Sequence, residues 1–90
     1  MSNSSEQFQA LYEAFKERYA DEMQAGDEQD KRDMFIICFR DILVFEMQSV
    51  TTLAADAVVE EIIDGSRTLT QDEWEAMASF LKNIDWETSE

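Results

Sequence analysis

Acidic side chains recur at four-residue intervals in two segments of the chain, so each segment carries a row of carboxylates along one helical face. A third acidic group surrounds the turn between the first two predicted helices. Carboxylates can act in pairs as general acids and bases, or they can bind a cation. The two rows and the turn group comprise Glu13, Glu17 and Asp21; Asp56, Glu60 and Asp64; and Asp27, Glu28, Asp30 and Asp33.

The chain lacks the side chains that nucleophilic catalysis and zinc binding require. It has no His and one cysteine, Cys38. Without an imidazole the usual catalytic triads cannot be assembled, and zinc sites need several Cys or His ligands. Cys38 falls in the most apolar segment, where a small buried residue is expected. An EF-hand-like stretch ending at Glu73 has Ile62 and Arg67 where that loop needs Asp and Gly. We therefore expect no enzymatic activity, no cofactor and no bound metal.

The net charge is the feature that most needs an explanation. The 90 residues include 21 Asp and Glu against 7 Lys and Arg, which gives a formal net charge of −14. A soluble domain needs a net charge of only about 2–8, and a larger excess opposes compaction by self-repulsion. The charge predicts a strongly positive protein partner. It argues against direct binding to nucleic acid or to an anionic membrane, because phosphates would be repelled.

Composition predicts one small helical domain over residues 1–90. The chain is 44% hydrophobic and 11% aromatic, with 2 Gly and 0 Pro. Average usage would give about 4–5 Pro, and proline is common in loops, so few loops are expected. We expect short flexible ends at about residues 1–4 and 87–90. A lone cysteine and an amino terminus without a signal-peptide pattern predict a cytoplasmic protein, in a bacterial host cell if the gene is phage-encoded.

Apolar periodicity and helix-end signals predict four helices in a small bundle. The first runs from about Ser5 to Ala25, with a Ser4 capping box and Gly26 as its carboxyl-terminal cap. The second follows Asp27 and contains the apolar run that begins at Met34. The other two span about Leu53 to Asp64, closed by Gly65, and a segment that begins with a Thr70–Glu73 capping box. The second and third helices are either separate, with Thr51 or Thr52 as a cap, or continuous through a bend.

The aromatic side chains are expected to form most of the core. Tyr19 and Trp86 are assigned less firmly, and Trp86 fits the core or an interface equally well. The predicted core aromatics are Phe8, Tyr12, Phe15, Phe35, Phe39, Phe45, Trp74 and Phe80.

In size, charge and helicity the whole chain resembles the small acidic inhibitors that phages direct against host restriction, CRISPR or transcription proteins. That resemblance implies a nucleic-acid mimic that occupies the basic groove of a nucleic-acid-binding protein. Three alternatives stay open: an immunity protein or antitoxin that neutralises a nuclease, a helical module that forms a homodimer, and acidic rows that are simply solvated. The residues predicted to bind the basic partner are Glu13, Glu17, Asp21, Asp27, Glu28, Asp30, Asp56, Glu60 and Asp64.

Overall fold

The computed structural model describes residues 4–23 and 26–84. Within these residues the chain forms four α-helices and no strand, which confirms the predicted all-α bundle. The helices are α1 (Ser4–Arg18), α2 (Glu28–Asp41), α3 (Thr52–Asp64) and α4 (Gln71–Lys82), and a π-helical turn, Ile42–Glu46, extends α2.

One cluster of aromatic rings occupies the centre of the bundle. The Phe35 ring lies 5.0 Å from the Phe8 ring, 5.2 Å from that of Phe15 and 5.8 Å from that of Phe39, between centroids. The rings are tilted or edge-on to one another, the geometry that aromatic pairs prefer. Trp74 of α4 joins the cluster through Phe39 at 6.3 Å. The prediction that these rings form the core is confirmed.

Contacts between distant residues set the helix directions. Phe39, late in α2, packs on Phe8, early in α1, so these two helices are antiparallel. The carboxyl-terminal ends of α1 and α4 meet, because Arg18 Nε donates to the Lys82 carbonyl at 2.9 Å. Just beyond α1, the buried Tyr19 hydroxyl donates to the Leu81 carbonyl at 2.7 Å and accepts from the Ile84 amide at 3.1 Å. The first and last described helices are therefore held side by side.

Several helix ends follow the predicted signals. The α4 capping box is complete, with Thr70 Oγ1 accepting from the Glu73 amide at 3.1 Å and Glu73 Oε1 accepting from the Thr70 amide at 2.8 Å. Thr51 Oγ1 caps α3 by accepting from the Ala54 amide at 3.3 Å. Gly65 closes α3 with φ +90°, a left-handed conformation that glycine adopts without steric cost.

The first helix begins within one residue of the predicted Ser5, but it ends earlier than predicted. The α-helix ends at Arg18, and the next five residues form turns in which the Met23 amide donates to the carbonyls of both Tyr19 and Ala20. Ala25, its predicted end, lies outside the described residues. Ser4 was expected to be flexible or to cap, but it lies within α1 with its hydroxyl buried and without a hydrogen-bond partner among the described residues.

The second and third helices are separate because the chain unwinds between them. The Met47 amide donates to the Ile42 carbonyl at 2.8 Å, five residues back, which makes the turn wider than an α-helical one. Gln48 then takes a positive φ of 54°. The wide turn takes the positions that follow Leu43 out of α-helical register, and Phe45 is 65% exposed. The prediction of Phe45 as a core residue is wrong. Phe80, which was also predicted in the core, is half-buried and packs against it.

The predicted flexible ends and the position of Trp86 concern residues 1–3 and 85–90, which lie outside the described part of the chain. Tyr19 is buried, which resolves its assignment in favour of the core. None of the described helices combines the length and apolar character needed to cross a bilayer.

Candidate acidic interface

All nine side chains predicted to bind a partner are on the surface. Each belongs to the exposed class, on α1, on the turns that follow α1, at the start of α2, or on α3. On α1 and α3, helical periodicity accounts for this placement, because the apolar positions point into the core and leave the acidic positions outside. The residues are Glu13, Glu17, Asp21, Asp27, Glu28, Asp30, Asp56, Glu60 and Asp64.

Lys16 joins the α1 row to the start of α2. Its Nζ lies 2.9 Å from Glu28 Oε2 and 3.7 Å from Glu13 Oε1. The same ammonium lies 4.6 Å from the centroid of the Tyr12 ring, a cation–π distance. One cation thus holds carboxylates from two helices next to each other, and the acidic surface continues from α1 onto α2.

The Tyr12 hydroxyl donates a second hydrogen bond to the Glu28 carboxylate. Burial of the phenol, together with this bond, raises the pKa of Tyr12 to about 12. The hydrogen bonds from Tyr12 and then Lys16 lower the pKa of Glu28. In turn, the hydrogen bond to Glu28 raises the pKa of Lys16. All three shifts favour the ionised carboxylate, so Glu28 is held negative beside the α1 row.

Two acidic residues of the turn group shape the start of α2. Asp27 Oδ1 accepts from the Asp30 amide at 3.0 Å and caps the helix. Gly26 has a φ of +109°, and a Cβ there would approach the Asp30 Cβ to 3.1 Å. A side chain at position 26 would therefore crowd the Asp30 side chain, and glycine permits this close approach. Asp27 serves the helix as well as the surface charge.

The α3 row begins near the other end of α2. Asp56 Oδ1 lies 3.2 Å from Arg40 Nη1, and Arg40 also approaches Asp41 at 3.6 Å. Arg40 follows Glu28 by twelve residues, which corresponds to about 18 Å along a helix. At the far end of the row, hydrogen bonds from the Ser66 hydroxyl and amide, at 2.7 and 2.8 Å, lower the pKa of Asp64. The structure thus links the α1 row with Glu28, and it gives the α3 row separate contacts.

Four of the nine carboxylates make no ion pair or side-chain hydrogen bond with another described residue: Glu17, Asp21, Asp30 and Glu60. The cations are partly engaged elsewhere. The Arg32 guanidinium lies over the rings of Phe8 and Tyr12 at 5.7 and 5.9 Å. Arg18 is bonded to a backbone carbonyl, and Arg67 pairs with Glu61, outside the predicted set. The negative potential of the rows is therefore largely uncompensated.

The surface also carries exposed apolar side chains that the sequence reasoning missed. Leu53 is 98% exposed, Ile37 48% and Met34 39%, in addition to Phe45. The run from Met34 to Phe45 is apolar on nearly every side, and hydrophobicity alone does not show which side faces the core. The exposure of Leu53 could have been inferred from its place outside the Ala55–Val58–Val59–Ile62 face.

Among residues 4–23 and 26–84, no group of three carboxylate or thiol side chains is close enough to hold a metal ion. The chain matches no protein-family model, no curated protein and no solved structure with which it was compared. The site is therefore interpreted from its own geometry and charge.

Proposed function

We propose that this chain is an acidic inhibitor that binds the basic surface of a nucleic-acid-binding protein and keeps nucleic acid away from it. The observation that carries this proposal is the exposure of all nine predicted carboxylates, six of them without an ion pair to another described residue. The proposal involves no covalent chemistry, no cofactor and no metal. Its setting is the cytoplasm of a bacterial cell, as for the phage inhibitors that the chain resembles in size and charge.

The spacing of the carboxylates supports the comparison with a nucleic-acid strand. Residues four apart on a helix rise about 6 Å, which is of the same order as the separation of neighbouring phosphates. Glu13 and Glu17 give one such step, Asp21 follows on the turn after α1, and Lys16 holds Glu28 beside this row. Glu28 is held in place, because the buried Tyr12 and Lys16 both donate to its carboxylate. A carboxylate held in this way loses less conformational entropy on binding than a free side chain does.

Complementary charge would first speed the association of this chain with its basic partner. It would then hold the chain on the surface from which nucleic acid is excluded. A net charge of −14 attracts a cationic surface over a distance of about one Debye length, roughly 10 Å at 0.1 M salt. Steering of this kind raises the association rate and makes it fall with added salt. Once docked, the helices occupy the volume that the nucleic acid would fill. Inhibition is then competitive with nucleic acid.

The direct test is capture of the target from a host-cell extract, followed by competition. The tagged chain is incubated with extract at low salt, and captured proteins are challenged with a short DNA duplex or with an uncharged polymer. We expect DNA to release the captured proteins, and the polymer to leave them bound. A partner that ignores both DNA and salt would contradict the proposal.

Charge-matched variants then locate the face. E13Q/E17Q/D21N removes three charges from the α1 row, and E46Q/D72N/E75Q removes three from exposed positions outside the rows and the turn group. We expect the first variant to lose about tenfold or more in affinity and the second to lose little, because local complementarity outweighs total charge at an interface. Equal losses would mean that total charge, and not this face, governs binding.

A further inference from the structure

We propose that a second copy of this chain docks antiparallel along α2 and forms a two-fold symmetric dimer. In this dimer Met34 of each copy enters a cleft beside Cys38 of the other. This inference does not depend on the proposed inhibitor function. It rests on an exposed apolar strip, on a heptad register, on a cleft in that register, and on the placement of two opposite charges.

The strip lies on the side of α2 that no other described helix covers. Phe35 and Phe39 are fully buried, and they face α1 and α4. Met34 and Ile37 lie outside them and are 39% and 48% exposed. Cys38, next to both in the helix, is half-buried. Two large apolar side chains are thus left against water within one turn of a single helix.

The spacing of four residues matches the seam of a coiled coil. Lys31, Met34, Cys38 and Asp41 follow one another at intervals of three, four and three residues, which is the heptad a–d spacing. When two such helices run antiparallel about a point near residue 36, each a position faces a d position of the other helix. Lys31 then faces Asp41 of the second copy, and Met34 faces Cys38 of the second copy. Ile37 meets its own copy near the two-fold axis.

The charges select the antiparallel arrangement. In a parallel pair, Lys31 would face Lys31 and Asp41 would face Asp41. In the antiparallel pair, each end of the seam has one opposite-charge contact, between Lys31 of one copy and Asp41 of the other. Lys31 makes no ion pair with another described residue, and the Asp41 side chain is 50% exposed despite its 3.6 Å contact with Arg40. Both groups are thus accessible to a second copy.

A cleft lies where the register places Met34 of the second copy. Its volume is about 390 Å³, and it lies between the end of α2 and the end of α4. Its lining combines the apolar side chains of Cys38, Ile42, Phe80 and Ile84 with the polar ones of Asp41, Glu46 and Asn83. Methionine is unbranched and adapts to an irregular space of this kind. The seam therefore has a projecting side chain and a receiving cleft in each copy, as an isologous interface requires.

Size and charge predict a weak dimer. The 14 residues of α2 span about 21 Å, which limits the interface to the small, transient class. We expect a dissociation constant on the order of 100 µM. Each copy carries a net charge of −14, so long-range repulsion opposes association. Salt screens this repulsion more than it weakens two short contacts, and the dimer should therefore tighten as salt is added.

The test is analytical ultracentrifugation over a concentration series, at low salt and at about 0.3 M salt, where the Debye length is about 6 Å. We expect a concentration-dependent shift from monomer to dimer that is stronger at the higher salt. K31E and D41K should each weaken association about tenfold, and the double variant should return it to within about threefold of the original chain. E61R/R67E exchanges an ion pair within the chain and should leave association unchanged.

I37S keeps the test decisive if D41K disturbs the Arg40 contacts, because Ile37 is half-exposed and its loss should spare the helix while abolishing the dimer. Helicity is checked by circular dichroism for each variant. A chain that stays monomeric at every concentration and salt would overturn the proposal. So would a double variant no better than its parents.

The single cysteine reports which occupant fills the cleft. We expect alkylation of Cys38 to be slower in concentrated protein than in dilute protein, because the second copy covers it. If alkylation of Cys38 is equally slow at every concentration, the chain's own residues 85–90, which follow Ile84, cover the cleft, and the proposal is overturned. If alkylation is equally fast at every concentration, nothing covers the cleft, and the proposal is overturned as well. None of these variants alters Glu13, Glu17 or Asp21, so failure of the dimer and failure of the inhibitor function are distinguishable.

Discussion

The Tyr12 hydroxyl connects the interior of the bundle with its charged surface. Its ring packs against Phe35 in the core, and its oxygen donates to Glu28, which lies outside. Because the ring is fixed by packing, the hydroxyl holds the carboxylate in place and favours its ionised form. Lys16 adds a second hydrogen bond from α1 at 2.9 Å. A surface charge is thus anchored to the core by one phenol.

Titration of Tyr12 tests this anchor. The pKa of Tyr12 is raised to about 12 in the folded chain, above its ordinary value of 10.0. A raised pKa means that the neutral phenol is favoured by folding. The associated stability is present below pH 10 and is lost as pH rises towards 12. We expect tyrosinate absorbance in a Y19F background, where Tyr12 is the one remaining tyrosine, to titrate near pH 12.

Y12F is the companion to this experiment. It should remove the stability change over the alkaline range and cost about 1 kcal/mol at neutral pH, since water can solvate the exposed Glu28 that it releases. A tyrosinate midpoint close to the ordinary value would show that neither burial nor the Glu28 contact acts on the phenol.

Two phenylalanines of similar sequence context should respond very differently to truncation. Phe39 is fully buried and Phe45 is 65% exposed. F39A should lower the free energy of unfolding by about 3–5 kcal/mol, because it leaves a cavity, whereas F45A should change it by less than about 0.5 kcal/mol. Urea denaturation measures both. A large loss in F45A would place that ring in the core after all.

At the scale of the elements, α4 has the most complete amino-terminal cap. T70A removes the hydroxyl that accepts from the Glu73 amide, and it should lower the free energy of unfolding by about 1 kcal/mol. T68A is the matched control, since Thr68 is equally exposed and lies outside the helix. Chemical denaturation of both variants gives the comparison. Equal losses of unfolding free energy in T70A and T68A would mean that the capping hydrogen bond does not stabilise the helix.

Local signals predicted the elements that local chemistry determines. Thr70 with Glu73, Asp27 and Gly65 mark helix ends through bonds to residues at most four apart, and all three marks are found in the structure. The early end of α1 was not predicted, because distant residues fix the chain there. The Tyr19 hydroxyl donates to the Leu81 carbonyl and accepts from the Ile84 amide, more than sixty positions along the chain. Ser4 was misread because burial of its side chain depends on the rest of the bundle.

The π-helical turn at Ile42–Glu46 was likewise not predictable from local sequence signals. Ile42 to Phe45 reads as continuous apolar helix, and no residue in it marks a wider turn. The extra residue appears only in the Met47–Ile42 and Ser49–Leu43 backbone bonds. For the acidic residues within the helices, exposure followed from helical periodicity, whereas Asp21 and Asp27 lie on turns. The bridge from Glu13 through Lys16 to Glu28 did not follow from periodicity, because it depends on how α1 and α2 are packed together.

At the scale of the whole molecule, self-repulsion should govern stability. The net charge of −14 is spread over a chain with a radius of gyration of 12.9 Å, so most carboxylates lie within a few Debye lengths of one another. We expect added salt to raise the free energy of unfolding by an amount on the order of 1 kcal/mol, measured by urea denaturation of dilute protein.

The variant E17Q/D21N/E60Q provides the control for salt. It removes three carboxylates that have no bonded partner, so it should begin more stable at low salt and gain less from added salt. A parent chain that loses stability with salt would show that attractive pairs such as Lys16–Glu28 outweigh the repulsion.

The hydroxyl of Tyr19 also constrains the order in which the protein can be assembled on the ribosome. Its acceptor is the Leu81 carbonyl and its donor is the Ile84 amide, and both are synthesised more than sixty residues later. The turn after α1 therefore cannot reach its final form while α4 is still untranslated. Protease digestion of stalled nascent chains should find α1 readily cleaved until α4 has emerged. Asp21, which lies on that turn, therefore reaches its final position beside Glu17 only after the last described helix has been made.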